Sequence, residues 1–193
     1  MLQKLHSKLN GDGRPTVGAS ARDLTARLLD IDEACMVVPA HIWTPWYGML
    51  GSKSGFDALD ECFGDMTAHI PAVETGLSSD PEMNWGVAAL AEKTIVSFSD
   101  AHSLPNMGRE LTVFQGDAGY RDLAVGLKKN GVEQTIEFFP EEGKYHMTGH
   151  RKCGISQTPR ETARSGTRCP ECGQPLTLGV VHRVGELSQV GNS

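Results

Sequence analysis

The chain has 193 residues, 39% of them apolar and 22% charged, with a formal net charge of −6; this is an ordinary soluble composition with room for one domain or for one domain plus a small appended module. No apolar run approaches the roughly 18–20 residues that span a bilayer, and the first residues lack the apolar stretch of a signal peptide, so a cytoplasmic location with no membrane partner is the expectation. The charge is divided unevenly: residues 1–143 carry 11 Lys/Arg against 21 Asp/Glu, whereas Lys144, Arg151, Lys152, Arg160, Arg164, Arg168 and Arg183 stand against only Glu161 and Glu171 across 144–183. A compact basic section suits a polyanion such as nucleic acid, although arginines also solubilise a small module with little core.

In chain order, Leu24, Leu28 and Leu29 recur at helical spacing behind Ser20 and Asp23, which predicts a short capped helix. Ala34–Ala40 reads as a buried strand, Gly48–Gly55 as a Gly/Ser-rich loop, Phe56–Phe63 as one or two helical turns, and Ile70–Val73 as the next strand. Asp80 and Pro81 mark the start of a helix over 81–92, followed by a strand at Thr94–Phe98. Strands about thirty residues apart with a helix in each interval give the βαβ repeat of an α/β fold. Beyond His102 come strand-like Leu111–Phe114, a helix over 120–130 and a strand at Gln134–Phe139. Past Pro140 large apolar residues thin out, which sets a boundary near 140–148. Ser188–Ser193 reads as a tail.

The chemistry gathers at the ends of these strands. Asp100 and His102 lie two residues apart, hence on one face of an extended chain, and His41 and Glu74 follow the two preceding apolar runs. Imidazole and carboxylate ligands at the C-terminal ends of successive strands suit a divalent cation such as zinc, manganese or magnesium. His41, Asp100 and His102 are therefore candidate catalytic residues, and with Glu74 candidate metal ligands; His6 and His69 read as structural. Gly51-Ser52-Lys53-Ser54-Gly55 offers backbone amides and Lys53 to an anion, without the spacing of a Walker motif. Arg109 can clamp a phosphate or pair with Glu110. Trp43 and Trp46, just after His41, can stack on a base or cover a core.

The basic section carries its own staple. His150 and Cys153 repeat the two-residue spacing of Cys169 and Cys172, so four ligands for a tetrahedral structural zinc are available, with His146 and His182 as other sources of the imidazole. A thioredoxin-like role for the cysteines would need a βαβ context that the sequence lacks. Cys35 and Cys62 read as small buried thiols.

Several segments, Pro39-Ala40-His41-Ile42-Trp43-Thr44-Pro45-Trp46, Gly51–Asp57, Glu74-Thr75-Gly76-Leu77-Ser78-Ser79-Asp80-Pro81, Ser99-Asp100-Ala101-His102 and Thr135–His146, closely resemble endonuclease Q of the PHP (polymerase and histidinol phosphatase) superfamily. The resemblance runs from about Asn10 to Leu187. It implies the C-terminal part of a distorted (β/α)7 PHP barrel over 1–143, a zinc-binding module over 144–187 and a tail over 188–193. It also implies a metal-dependent DNA repair endonuclease that hydrolyses the phosphodiester 5′ of deaminated bases (uracil, hypoxanthine, xanthine) or abasic sites. His41 matches a histidine ligand of the family, and Asp100 with His102 its closing Asp-x-His motif. Lys53, Arg109, Trp43 and Trp46 become DNA contacts. The family opens with a His-x-His strand that no segment before His41 supplies, so the resemblance implies an incomplete fragment of a longer protein, lacking the first-half metal ligands and not necessarily active alone, with the N-terminal half of the barrel as a partner. A PHP phosphoesterase acting on a small phosphorylated metabolite, and a non-catalytic nucleic-acid-binding zinc module on a degenerate barrel, are the competing readings.

Overall fold

A computed structural model of the chain describes residues 8–9, 15–117, 119–129 and 131–190. Fourteen elements follow one another: β1 (Lys8–Leu9), β2 (Pro15–Thr16), α1 (Ala21–Ile31), α2 (Leu59–Phe63), β3 (Ala72–Glu74), α3 (Pro81–Trp85), β4 (Thr94–Val96), β5 (Leu111–Phe114), α4 (Tyr120–Lys128), β6 (Val132–Ile136), β7 (Thr148–His150), β8 (Ile155–Gln157), α5 (Pro159–Ser165) and α6 (Val180–Val190). The result is a mixed α/β fold. β3 and β4 pair in parallel with Val73 opposite Ile95, whereas β1–β2, β5–β6 and β7–β8 are antiparallel pairs. His6 lies outside the described residues.

Local chemistry sets the helix starts. The Ser20 hydroxyl accepts from the Asp23 amide to open α1, and the Asp80 carboxylate accepts from the Met83 amide with Pro81 at the first turn of α3, the substitution pattern expected where the first amides lack partners. The helix expected over 81–92 ends instead at Trp85, and a separate 3-10 turn covers Ala88–Leu90. Asn84 explains the break. Its side chain donates to the Asp80 carbonyl and the Ser79 hydroxyl and accepts from the Trp43 indole, so it is buried and tied inward rather than carried along a regular helical face.

The strand expected at Ala34–Ala40 is extended chain without a ladder. It still lies beside β3, because the Glu74 amide donates to the Pro39 carbonyl and the Ile42 amide to the Glu74 carbonyl. Met36 and Val38 cover Ala72 and Val96 on one side, while Val37 meets the larger core on the other. β4 stops at Val96, but the chain beyond it is stitched to β5: Thr112 Oγ1 accepts from the Ser97 amide and donates to the Ser97 carbonyl.

The main core joins Ile42, Trp43, Leu50, Phe63, Ile70, Val73 and Leu90 to Val180, Val184 and Leu187 of α6. The last helix of the basic section thus completes the core of the first. This departs from the expected division at residue 144, and α6 runs through 188–190, which were read as tail. The physical reason is that the apolar residues of α6 are too few to bury one another and find cover on the larger body.

Candidate functional site

Glu74 is the hub of the strand-end region. It ends β3 and is 5% exposed, and its carboxylate accepts from the backbone amides of His41 and Gly76. Burial pushes its pKa up, opposed by the amides of His41, Gly76 and Phe98. Those amides come from three strand ends, so one carboxylate ties together the loops that carry His41, Gly76 and Asp100. Each Glu74 carboxylate oxygen thus carries one amide hydrogen bond, which fixes the carboxylate against these loops.

His41 and Asp100 share a second peculiarity. With Tyr47 they are the non-glycine residues at positive φ among those described, at 35° for His41 and 43° for Asp100, a conformation that costs on the order of 1–3 kcal/mol and persists only where its surroundings impose it. The ring of His41 is oriented by Thr44, whose Oγ1 lies 2.9 Å from Nδ1, leaving Nε2 for other work. His102 Nδ1 lies 2.8 Å from the Asp100 carbonyl oxygen and 4.0 Å from its carboxylate, with both side chains half-exposed. His41, Glu74 and Asp100 therefore belong to one strand-end face, but among the described residues they do not come together as a group of three or more metal-holding side chains.

One set does close. Among the described residues, the group of three or more His, Cys, Asp or Glu that can hold a metal ion is His150, Cys153, Cys169 and Cys172, whose donor atoms all lie within 4.8 Å of one another. His146 and His182 are excluded from it: His146 Nδ1 meets the Ser78 carbonyl at 3.0 Å, and His182 Nε2 lies 3.4 Å from Glu186. Each half of the cluster turns back through a glycine at positive φ, Gly154 at 67° and Gly173 at 71°, directly after its second ligand, which a residue with a Cβ would resist. Burial opposes ionisation of the Cys169 thiol, but the amides of Cys172 and Glu171 and the His150 side chain draw its pKa down to about 7. Neighbouring thiols push Cys153 up to about 11, so a bound cation has charge repulsion to relieve there.

The expected DNA contacts fare unequally. Trp43 is 1% exposed and its indole donates to Asn84; this corrects the expectation of a base contact, because no ring face is left open. Trp46 remains 45% exposed and meets Tyr145 edge-on, ring centres 6.1 Å apart. The Gly51–Gly55 loop spends its amides internally: Lys53 and Ser54 donate to Pro45, and Gly55 to Gly51. Gly51 is required by crowding, since a Cβ there would meet the Thr44 carbonyl at 2.1 Å. The loop is thus a self-packed turn rather than an anion cradle of free amides, and it docks the basic section, with Ser52 Oγ donating to Leu178 and Lys53 Nζ to Leu176. Arg109 donates from Nε to the Ser99 carbonyl, bracing the turn that presents Asp100, and its charge is felt by Glu110. His69 is exposed, whereas Cys35 and Cys62 are half-buried.

Sequence reading missed the buried carboxylates behind this face. Glu110, 2% exposed, accepts from Ser97 Oγ at 2.8 Å; burial, against the Ser97 bond, lifts its pKa to about 7. Glu137 is also raised by burial, and its Oε1 is buried without a hydrogen bond. Only the position of Glu137 one residue past β6 hinted at this, since a lone glutamate in a strand pattern normally points to water.

No protein-family model matches the chain. Among curated proteins it is 35% identical to uncharacterized protein YqxK of Bacillus subtilis over 162 residues, covering 81% of this chain and 40% of that one. It is 30% identical to uncharacterized protein MJ0043 of Methanocaldococcus jannaschii over 154 residues, covering 76% and 19%. The crystal structure of the lesion-specific endonuclease PfuEndoQ from Pyrococcus furiosus matches with a TM-score of 0.77 and 29% identity, over 95% of this chain and 46% of that one. The chain is endonuclease Q-like. A second endonuclease Q structure, in complex with a 27-mer duplex substrate bearing an abasic lesion at the active site, matches with a TM-score of 0.78 and 29% identity over 91% and 44%. The endonuclease Q-like chain thus spans less than half the length of each of these proteins.

Proposed function

We propose that the chain contributes to a metal-dependent DNA repair endonuclease, cutting the phosphodiester 5′ of deaminated bases (uracil, hypoxanthine, xanthine) or abasic sites, in the cytoplasm. The observation that carries the reading is the correspondence with endonuclease Q along nearly the whole chain, one such structure holding duplex DNA. Strained His41 and Asp100 beside one buried carboxylate support it, because such strain collects at working sites. On this reading the acidic body is the C-terminal part of a distorted (β/α)7 PHP barrel and the basic section a zinc module docked on it through α6, with the N-terminal part of the barrel as a partner.

His41, Glu74, Asp100 and His102 would hold the divalent metal of the barrel, zinc, manganese or magnesium, the Glu74 carboxylate also tying their loops together. When bound, the metal supplies Lewis acidity and an ionised water at neutral pH. Arg109 keeps the Ser99–Asp100 turn in place and would reach a phosphate oxygen with its terminal nitrogens. The Lys53 ammonium has two further donors for the DNA backbone. Trp46 faces the base. His150, Cys153, Cys169 and Cys172 would hold the structural zinc, since three sulfurs and an imidazole are its usual tetrahedral set.

A second reading, a nucleic-acid-binding zinc module on a non-catalytic barrel, is favoured by the convergence of the His/Cys set where the strand-end residues do not converge. Incubation with Mn²⁺ and duplexes carrying uracil, hypoxanthine or an abasic site, beside p-nitrophenyl phosphate, separates the readings. Lesion-dependent incision supports the nuclease; hydrolysis of the small ester alone supports a phosphoesterase; DNA binding without hydrolysis supports the binding module.

A further inference from the structure

The β5–β6 pair carries two acids that the strand-end chemistry does not use. Its register sets Leu111 opposite Ile136 and Thr112 opposite Thr135; carried one residue further, it sets Glu110 opposite Glu137. Side chains alternate across a strand, so Glu110, Thr112, Thr135 and Glu137 share one face, while Leu111 and Ile136 point the other way and are half-exposed. The shared face meets Ser97, which is fully buried. We infer that Glu110, coupled to Glu137 across the pair, is a positioning residue for the Asp100–His102 turn and acts on it through Ser97. The inference deepens the endonuclease reading above, on which it rests, by naming what holds two of its working groups in place.

The chain between β4 and Asp100 depends on side chains for its hold. The ladder of β4 ends at Val96, yet Asp100 is presented at φ 43°, a conformation that persists only where the surroundings impose it. Three residues of one short stretch supply that hold. Thr112 Oγ1 accepts from the Ser97 amide at 2.9 Å and donates to the Ser97 carbonyl at 2.7 Å. Arg109 Nε donates to the Ser99 carbonyl at 2.8 Å, and Glu110 accepts from Ser97 Oγ at 2.8 Å. Thr112 and Arg109 fix the backbone on either side of Phe98. Glu110 takes the Ser97 side chain and so decides which face of the segment turns inward.

Glu137 completes the arrangement. Ser97 has one hydroxyl proton and gives it to Glu110, while Glu137 Oε1 is buried with no hydrogen-bond partner. Two carboxylates directly opposite each other in an antiparallel pair repel, and a buried pair keeps a proton instead. Glu74 at the end of β3 adds negative charge beside both, Asp80 ahead of α3 adds it beside Glu137, and Arg109 opposes it at Glu110; burial raises both carboxyls. One proton held between them gives Glu137 the donor it lacks and leaves the Glu110 oxygen that faces Ser97 free to accept. The pair is then a hydrogen-bonded link from β6 through β5 to Ser97. Glutamine has the same reach, with an amide in place of the proton, so it can stand in at position 110; alanine cannot.

NMR of the whole chain at about pH 6 tests the inference, read at the amides of Asp100 and Ala101 and the ring of His102, with the signals of Val73 and Leu90 showing that the core is folded. Glu110→Ala is expected to displace the Asp100, Ala101 and His102 signals and to speed exchange of the Ser97 amide about tenfold or more. Glu110→Gln, which keeps an acceptor for Ser97 and a donor for Glu137, is expected to leave the signals in place and the exchange within about twofold. Ser97→Ala removes only the hydroxyl; it is expected to reproduce the Glu110→Ala pattern and serves where that variant fails to fold. In carboxyl-carbon spectra of the unaltered chain, one of Glu110 and Glu137 is expected to carry the shift of the neutral acid. Folded Glu110→Ala and Ser97→Ala chains with unmoved Asp100 and His102 signals would overturn the inference. So would a Glu110→Gln chain displaced as far as Glu110→Ala, or two ionised carboxylates at this pH. None of these readings involves DNA, so their failure leaves the endonuclease reading standing, whereas absence of incision by the completed barrel tells against that reading and leaves these signals unaffected.

Discussion

Glu110 is buried with the Ser97 hydroxyl as its side-chain hydrogen-bond donor, and the cost of ionising it there is measurable. Its pKa is raised from 4.5 to about 7, so the folded chain binds a proton that the unfolded chain releases. Its contribution to stability is complete below about 4.5 and is lost as pH rises through about 7. Glu110→Gln removes that titration: urea melts are expected to show the variant gaining on the order of 1–3 kcal/mol relative to the unaltered chain between pH 5 and 8. An identical pH slope in both would contradict the assignment. Gly76 offers a second test at this scale. It sits at φ 68°, and an added Cβ would lie 3.0 Å from that of His41. Gly76→Ala should cost about 1–3 kcal/mol in thermal unfolding and displace the His41 ring from Thr44, which the shifted imidazole resonances of His41 would report.

The elements separate what the sequence made visible from what it did not. Capping at Ser20 and Asp80 and the β5–α4–β6 succession were readable because each is local: a hydroxyl or carboxylate before an apolar period, a glycine after it. The break of α3 was not readable, because it depends on Asn84 reaching Trp43, 41 residues away in sequence. The two knuckles were readable from spacing alone, and only the imidazole needed coordinates, where His146 proved to be engaged by Ser78. A metal held by His150, Cys153, Cys169 and Cys172, as proposed above, would tie the β7–β8 knuckle to the Cys169–Cys172 turn and contribute to the stability of both. Chelator treatment, or Cys169→Ser, is expected to release one zinc per chain and lower the melting temperature by about 10 °C or more, as loss of several kcal/mol does in a chain of this size. A melt insensitive to chelator would show the cluster to be free thiols.

At the scale of the molecule the basic section and the acidic body are one folding unit, joined where Val180, Val184 and Leu187 enter the main core. Docking is reinforced by Lys53 and Ser52 reaching carbonyls near residue 177 and by Arg183 donating to Leu50 and Phe56. Composition suggested a separable module because it records how few apolar residues the section has, not where they go. A charge at position 184 should therefore unfold both parts together. Val184→Asp is expected to destabilise by about 3–5 kcal/mol, with the near-UV signal of Trp43 and loss of zinc following a single transition; two separated transitions would mean independent domains.

The proposed part in cutting lesion-bearing DNA is tested most directly by one assay: gel analysis of a duplex with a single abasic site, incubated with Mn²⁺ and the chain together with the N-terminal part of the barrel. Incision on the 5′ side of the site, dependent on the metal and abolished by Asp100→Asn, is the predicted result. A duplex bound but left whole, or cut equally well by Asp100→Asn, would contradict the account.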